Sequence, residues 1–188
     1  MEKSITSTRT VERPMDAVAD LFGEDPAKLL ATATATAQQT SNSVAVWAHN
    51  NHVGDKSADD VRGSGLINMG QLVRERLGED NVFILGSASY QGEVRAARGW
   101  QNQGEVQAVA PAREHSIERL LFQSQWDNPL LYWDSVQSQQ LWNFDVLHRG
   151  IGAEFDSAES DADTWSVTNI AKRYDALVFW KLTGALRR

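Results

Sequence analysis

The stretch Ser43-Val44-Ala45-Val46-Trp47-Ala48-His49-Asn50-Asn51-His52 changes character halfway along. Its first six residues are β-branched, aromatic or small and read as a buried strand. Its last four are polar and read as the loop beyond that strand's carboxyl end. Working outward, a Gly- and Asp-rich loop leads to Met69, Leu72, Val73 and Leu77, which share one helical face, with Gly78 closing the helix. Asn81 to Gly86 then returns to a β-rich apolar run. Strand, helix, strand in that order predicts a right-handed crossover, and so an α/β layered fold with helices flanking a mostly parallel sheet.

Toward the N-terminus, Met15 to Phe22 carries a helical stripe ending at Gly23. Asp25 and Pro26 then supply an N-cap and a first helical position for a helix running to about Gln39. Met1 to Glu12 is a polar lead-in without periodicity. Toward the C-terminus, Gln-Gly-Glu-Val occurs at 91–94 and again at 103–106, which suggests a twisted pair of extended segments between Tyr90 and Val109. Ser116 caps a helix to Gln123, but Arg119 stands where a capping box needs an acid or amide. Leu130 to Trp133, Gly150 to Phe155 and Ala176 to Trp180 read as strands, and Val167 to Tyr174 as a helix. The expected sheet has about five or six strands, in one α/β domain over 13–188.

Composition narrows the function. The chain has 188 residues, 18 Lys plus Arg against 25 Asp plus Glu, and a formal charge of −7. That argues against neutralising phosphates, so no nucleic-acid partner is expected. With 41% hydrophobic and 23% charged residues the chain has the composition of a folding domain. It has no cysteine, which excludes disulfides, thiolate metal sites and a Cys nucleophile. Its longest apolar runs, Val44 to Ala48 and Ala176 to Trp180, are too short to cross a bilayer, and residues 1–15 lack a signal-peptide core. The expectation is a soluble cytoplasmic protein without a membrane partner.

Ligands in open α/β sheets collect beyond the carboxyl ends of strands, where His49 and His52 are expected. An imidazole with a pKa of about 6.5 can take a proton from water and return it to a leaving group. One of the pair could act as the base. The other, with Asn50 or Asn51, could steady the oxyanion of an attacked carbonyl, with Asp55 close enough in sequence to orient a ring. The bland alternative is ordinary turn chemistry with satisfied hydrogen bonds. A divalent metal at His49 and His52 ranks lower, because no His-Glu-x-x-His pattern is present. No Gly-x-Ser-x-Gly elbow or Walker A loop occurs. The seven tryptophans belong to the core, with some available to line an apolar pocket. His115 and His148 stand alone and read as structural, and Arg149 either clamps a carboxylate or pairs with a structural acid.

Taken together, Val46-Trp47-Ala48-His49-Asn50-Asn51-His52-Val53-Gly54-Asp55, then Met69-Gly70-Gln71-Leu72-Val73, resembles the second half of the erythromycin esterase family. Asn81 to Gly86, Arg149-Gly150-Ile151-Gly152 and Tyr174-Asp175-Ala176-Leu177-Val178 follow in that family's order. The resemblance implies hydrolysis of a macrolide or other small-molecule ester by histidine-activated water, without a covalent acyl-enzyme, and leaves metal dependence open; no cofactor is otherwise expected. His49 and His52 would be active-site residues. Family members are longer and carry a Gly-Glu-x-x-His segment bearing a water-activating histidine. The four Gly-Glu pairs here, starting at 23, 78, 92 and 104, have no histidine at that offset. The resemblance therefore admits a truncated remnant, a piece completed by a complementing chain or homo-oligomer, or a module that only binds.

Overall fold

The computed structural model describes residues 44–59, 67–99, 101–133, 135–159 and 161–187. The chain divides into two units, Met1–Val44 and Ala45–Arg188, and the architecture below is that of the second. The lead-in and the two helices expected between residues 1 and 39 lie outside the described residues.

Among those residues are six strands, β1 (Leu85–Ala96), β2 (Glu105–Val109), β3 (Leu130–Tyr132), β4 (Asp145–Arg149), β5 (Trp165–Asn169) and β6 (Ala176–Thr183). Five helices accompany them: α1 (Asn50–Val53), α2 (Met69–Leu77), α3 (Ile117–Gln123), α4 (Val136–Leu141) and α5 (Ile170–Arg173). The fold is mixed α/β. Its main sheet has the order β2-β1-β6-β3, and β4 pairs with β5 in a second, two-stranded sheet.

The mostly parallel sheet of five or six strands is corrected on two counts. Only β1 and β6 run parallel, from Leu85 opposite Ala176 to Gly92 opposite Thr183. β2 follows β1 after a link too short for a crossover, so it returns antiparallel, and β3 meets β6 antiparallel as well. The expected pair of extended segments is thus the β1–β2 ladder. The strand count is divided because β4 and β5 satisfy one another.

Buried residues alternate along β1 from Gly86 through Ala88 to Tyr90, so one face of that strand meets the core. Ile117 and Leu121 of α3, Leu131, Trp133, Ile170, Tyr174, Leu177 and Phe179 complete the packing. Ser116 caps α3 by accepting from the Arg119 N–H, and Gly78, at φ 83°, ends α2 in the left-handed region open to glycine.

Several expected elements move. Val44 to His49 has no strand ladder, and Trp47 is 98% exposed. High β-propensity makes a strand only where a neighbour accepts its hydrogen bonds. At Ser87 on β1 that role belongs to the Asn50 side chain. The strand expected at Asn81 begins at Leu85, after a 3-10 turn over Glu79–Asn81. The strand expected at Gly150–Phe155 lies earlier, at β4. The helix expected over Val167–Tyr174 is β5 followed by α5, because the Asn169 side chain accepts from Lys172 N–H and starts the helix only there. α4, opened by a Ser135/Ser138 capping box, was not anticipated.

α2 rests directly on α1 at Gly70, where an added Cβ would fall 2.0 Å from the Val53 carbonyl oxygen. Gly70→Ala should lower stability by about 1–3 kcal/mol through forced separation of the two elements. Urea unfolding followed by circular dichroism measures it, and an unchanged midpoint would contradict the contact.

Candidate active site

His49 is extended, with φ −64° and ψ 150°, and serves as N-cap of α1: its Nδ1 accepts the Asn51 N–H at 3.1 Å. A four-residue helix is not self-supporting. Its neighbours hold it. The Asn50 amide donates to the Ser87 carbonyl at 2.6 Å and accepts the Ser87 N–H at 3.2 Å, fixing the turn to β1. Asn68 caps α2 through Oδ1 and donates from Nδ2 to the carbonyls of Asn51 at 2.9 Å and Gly54 at 2.6 Å. The carbonyl end of the turn is thereby joined to α2.

His49 and His52 stand three residues apart, with ring centroids 6.5 Å apart and planes at 77°. His52 is exposed and His49 half-buried. Burial holds the His49 pKa below its ordinary 6.5. A hydrogen bond to the Ile151 backbone opposes this, and electrostatic coupling to His52, Arg173 and His148 reinforces it. The ring is therefore neutral at pH 7. With Nδ1 already accepting, its proton sits on Nε2, the nitrogen left to donate to the Ile151 carbonyl. His49 is built as a donor, with its lone pair spent on the cap.

The other candidate residues have structural bonds. Asp55 is buried. Its Oδ1 accepts from the Ser57 N–H at 3.0 Å and hydroxyl at 2.6 Å, and its Oδ2 meets Arg74 at 3.3 Å. Both oxygens are thus engaged away from the imidazoles, whereas sequence proximity suggested that Asp55 orients one. Arg74 continues to the Lys172 carbonyl and to Asp175, which also accepts the Ile84 N–H. Asn51 is exposed. Its side chain lies over Gly150, where a Cβ would come within 2.6 Å of Asn51 Oδ1. Among the described residues Arg149 has carbonyls rather than a structural acid as its partners. Its guanidinium is buried and donates to three backbone carbonyls, those of Ala110, Ser89 and Tyr90, while stacking 5.0 Å from the Trp165 ring. Burial lowers its pKa.

A second polar cluster lies beneath the turn. His148 joins Glu118 at 2.7 Å and the Tyr174 hydroxyl at 3.1 Å. That hydroxyl accepts from Arg173 Nε at 2.9 Å, and Arg173 pairs with Asp59. His148 has the structural surroundings expected of it, but its two partners were not foreseen, because Glu118 and Tyr174 lie 30 and 26 residues away in sequence. Asn68 had a readable signal, since an Asn immediately before a helical stripe is an N-cap. Trp133 and Trp142 stack at 5.7 Å in and against the core. Among the described residues no group of three or more His, Cys, Asp or Glu is placed to hold a metal ion, and no helix is long and apolar enough to cross a membrane.

The erythromycin esterase family model matches residues 18–183. The chain belongs to the erythromycin esterase family. Solved structures share its fold. A Bacillus cereus protein has a TM-score of 0.68 and 15% identity, covering 92% of this chain and 41% of its own. A succinoglycan biosynthesis protein has a TM-score of 0.64 and 19% identity, covering 83% and 37%. An erythromycin esterase, EreC, carrying a histidine-to-asparagine mutation and in its open conformation, has a TM-score of 0.54 and 15% identity, covering 88% and 40%. This erythromycin esterase family chain thus spans about two fifths of the length of the structures it matches.

Two outcomes follow for stability. Arg149→Lys replaces the planar fork by a single ammonium that cannot reach carbonyls served from two separate nitrogens or lie flat on Trp165, and should cost about 2–4 kcal/mol in denaturant unfolding; a loss below about 0.5 kcal/mol would contradict the clamp. For His49 the folded pKa lies below the unfolded 6.5, so the unfolded chain binds a proton that the folded chain refuses. Its contribution is full above pH 6.5 and is lost as the pH falls through the folded value. His49→Asn, which preserves a cap acceptor, should flatten stability measured between pH 8 and 5. His49→Ala should also lose the cap, about 1 kcal/mol at every pH.

Proposed function

We propose that this chain carries the histidine-bearing part of a site that hydrolyses an ester or lactone with activated water, the substrate being a macrolide macrolactone or another small carboxylic ester. The observation that carries this reading is the unlike surroundings of two imidazoles on one turn. One is exposed; the other is half-buried, with Nδ1 holding the Asn51 N–H and burial keeping its pKa below the ordinary value.

In this reading His52 removes a proton from water as oxygen attacks the carbonyl carbon. The oxyanion that forms takes the Nε2–H of His49 in place of the Ile151 carbonyl, and its collapse expels the alcohol oxygen, which recovers the proton from His52. The products are a carboxylic acid and an alcohol, and no acyl-enzyme is formed. Asn51 flanks the approach, while Arg149 and Asp55 support it from below. The remaining walls of the pocket, and any further charged group, come from the part of such a fold that this chain does not span, whether in the same polypeptide or in a complementing copy.

The test follows hydrolysis of a macrolide lactone by mass spectrometry and of p-nitrophenyl acetate by absorbance. His52→Ala should lower kcat about 100-fold or more, and His49→Asn about 100-fold through loss of the donor. Equal rates for the parent and both variants, or no turnover of either ester when the chain is joined by the rest of the fold, would overturn the assignment.

A further inference from the structure

Beneath the His49–His52 turn runs an unbroken line of buried polar groups that the hydrolytic reading leaves without a task. Glu118, in the first turn of α3, is 1% exposed, His148 on β4 3%, Tyr174 0% and Arg173 2%. Nothing so deeply buried is solvated, so the direction of each hydrogen bond follows from the donors present. Arg173 Nε can only donate, so the Tyr174 oxygen accepts from it at 2.9 Å. The Tyr174 proton then goes to His148 Nε2 at 3.1 Å, and the proton on His148 Nδ1 goes to Glu118 Oε1 at 2.7 Å. Glu118 Oε1 also accepts the Arg149 N–H at 2.9 Å, and its Oε2 is buried with no partner.

At the other end the line reaches the turn itself. Arg173 Nη2 donates to the Asn50 carbonyl at 3.4 Å, its Nη1 pairs with Asp59, and Lys56 holds Asp59 at 2.7 Å. The Arg173 carbonyl accepts the Asp55 N–H at 3.0 Å. Gly54 sits on the Arg173–Tyr174 pair, where a Cβ would be 2.7 Å from Arg173 Nε and 2.9 Å from the Tyr174 ring. The turn therefore has a floor made of two side chains whose own positions are set by His148 and Glu118.

We infer that Tyr174 and Arg173, ordered by the buried Glu118–His148 pair, are positioning residues that hold the His49–His52 turn at its working height above β1. Neither touches substrate. Both act through the backbone of Asn50 and Gly54. The inference rests on the hydrolytic reading for its consequence in catalysis, while the placement of the two rings is measurable without any substrate.

The experiment uses the full chain with its histidine ring signals recorded by NMR at one fixed pH, alongside ester hydrolysis. Tyr174→Phe deletes one hydroxyl and keeps the ring. It should move the His49 and His52 Cε1–H cross-peaks together with that of His148, and lower kcat about tenfold with KM within twofold of the parent. Asp59→Asn weakens the Arg173 pair from the opposite side, at a buried carboxylate that lies outside the apolar core cluster and with the side-chain volume kept, and is the variant to read should Tyr174→Phe not fold. It should shift the His49 peak in the same direction. Movement of the His148 peak alone in either folded variant, with His49 and His52 unmoved, would overturn the inference whether or not esters are hydrolysed. Shifted peaks without esterase activity, even when the chain is joined by the rest of the fold, would retain the positioning role and remove only the hydrolytic reading.

Discussion

At Ser87 one edge of β1 faces no other strand among the described residues, and the way its backbone groups are satisfied there decides where the candidate site sits. The Asn50 amide supplies both a donor and an acceptor to that one residue, in the manner of a neighbouring strand reduced to a single side chain. Asn50 also begins α1, so satisfying the edge places His49 immediately before it and His52 two residues after. Asn68 then ties the other end of the turn to α2. Four residues that could not hold a helix by themselves are held by their neighbours.

A second constraint comes from cations taken out of water. Arg74, Arg149 and Arg173 are all buried, and a guanidinium in that position is tolerable only when carbonyls or carboxylates answer it. Each is answered differently. Arg149 uses backbone oxygens from the β1 region and the segment after β2, Arg74 links two aspartates and the Lys172 carbonyl, and Arg173 takes Asp59 and the Tyr174 hydroxyl. These bonds join segments distant in sequence around the turn, so the rigidity of the site derives from charge satisfaction as much as from apolar packing. Burial also pushes the Tyr174 pKa up to about 12, keeping its hydroxyl protonated and able to donate to His148.

Local signals were the ones that read well. The stripe Met69 to Leu77 closed by Gly78, the cap at Ser116 and the apolar run from Ala176 are decided within one or two helical turns or one strand, and each stands where the pattern places it. His49 and His52 do share one turn, as their spacing implies, but that turn is a short helix and the apolar run before it forms no strand. Asp55 and Arg149 show the limit of such reading: their residue types suggested active-site roles, but their partners, Arg74 and three distant carbonyls, are fixed by chain reversals that no short window contains.

By itself the sequence determined that this protein forms a mixed α/β fold of the erythromycin esterase family and that two imidazoles three residues apart share one turn, because periodicity, caps and a ten-residue motif act over short separations. Tertiary structure alone decided that β1 and β6 run parallel while their outer neighbours do not, and that Val44 to Ala48 has no strand partner among the described residues. It also decided that His49 Nδ1 is taken up by the Asn51 N–H and that a buried Glu118–His148–Tyr174–Arg173 line lies below it. Those outcomes depend on which hydrogen-bonding groups are brought face to face by residues tens of positions apart, and the valence of each donor and acceptor is settled only when its partner arrives.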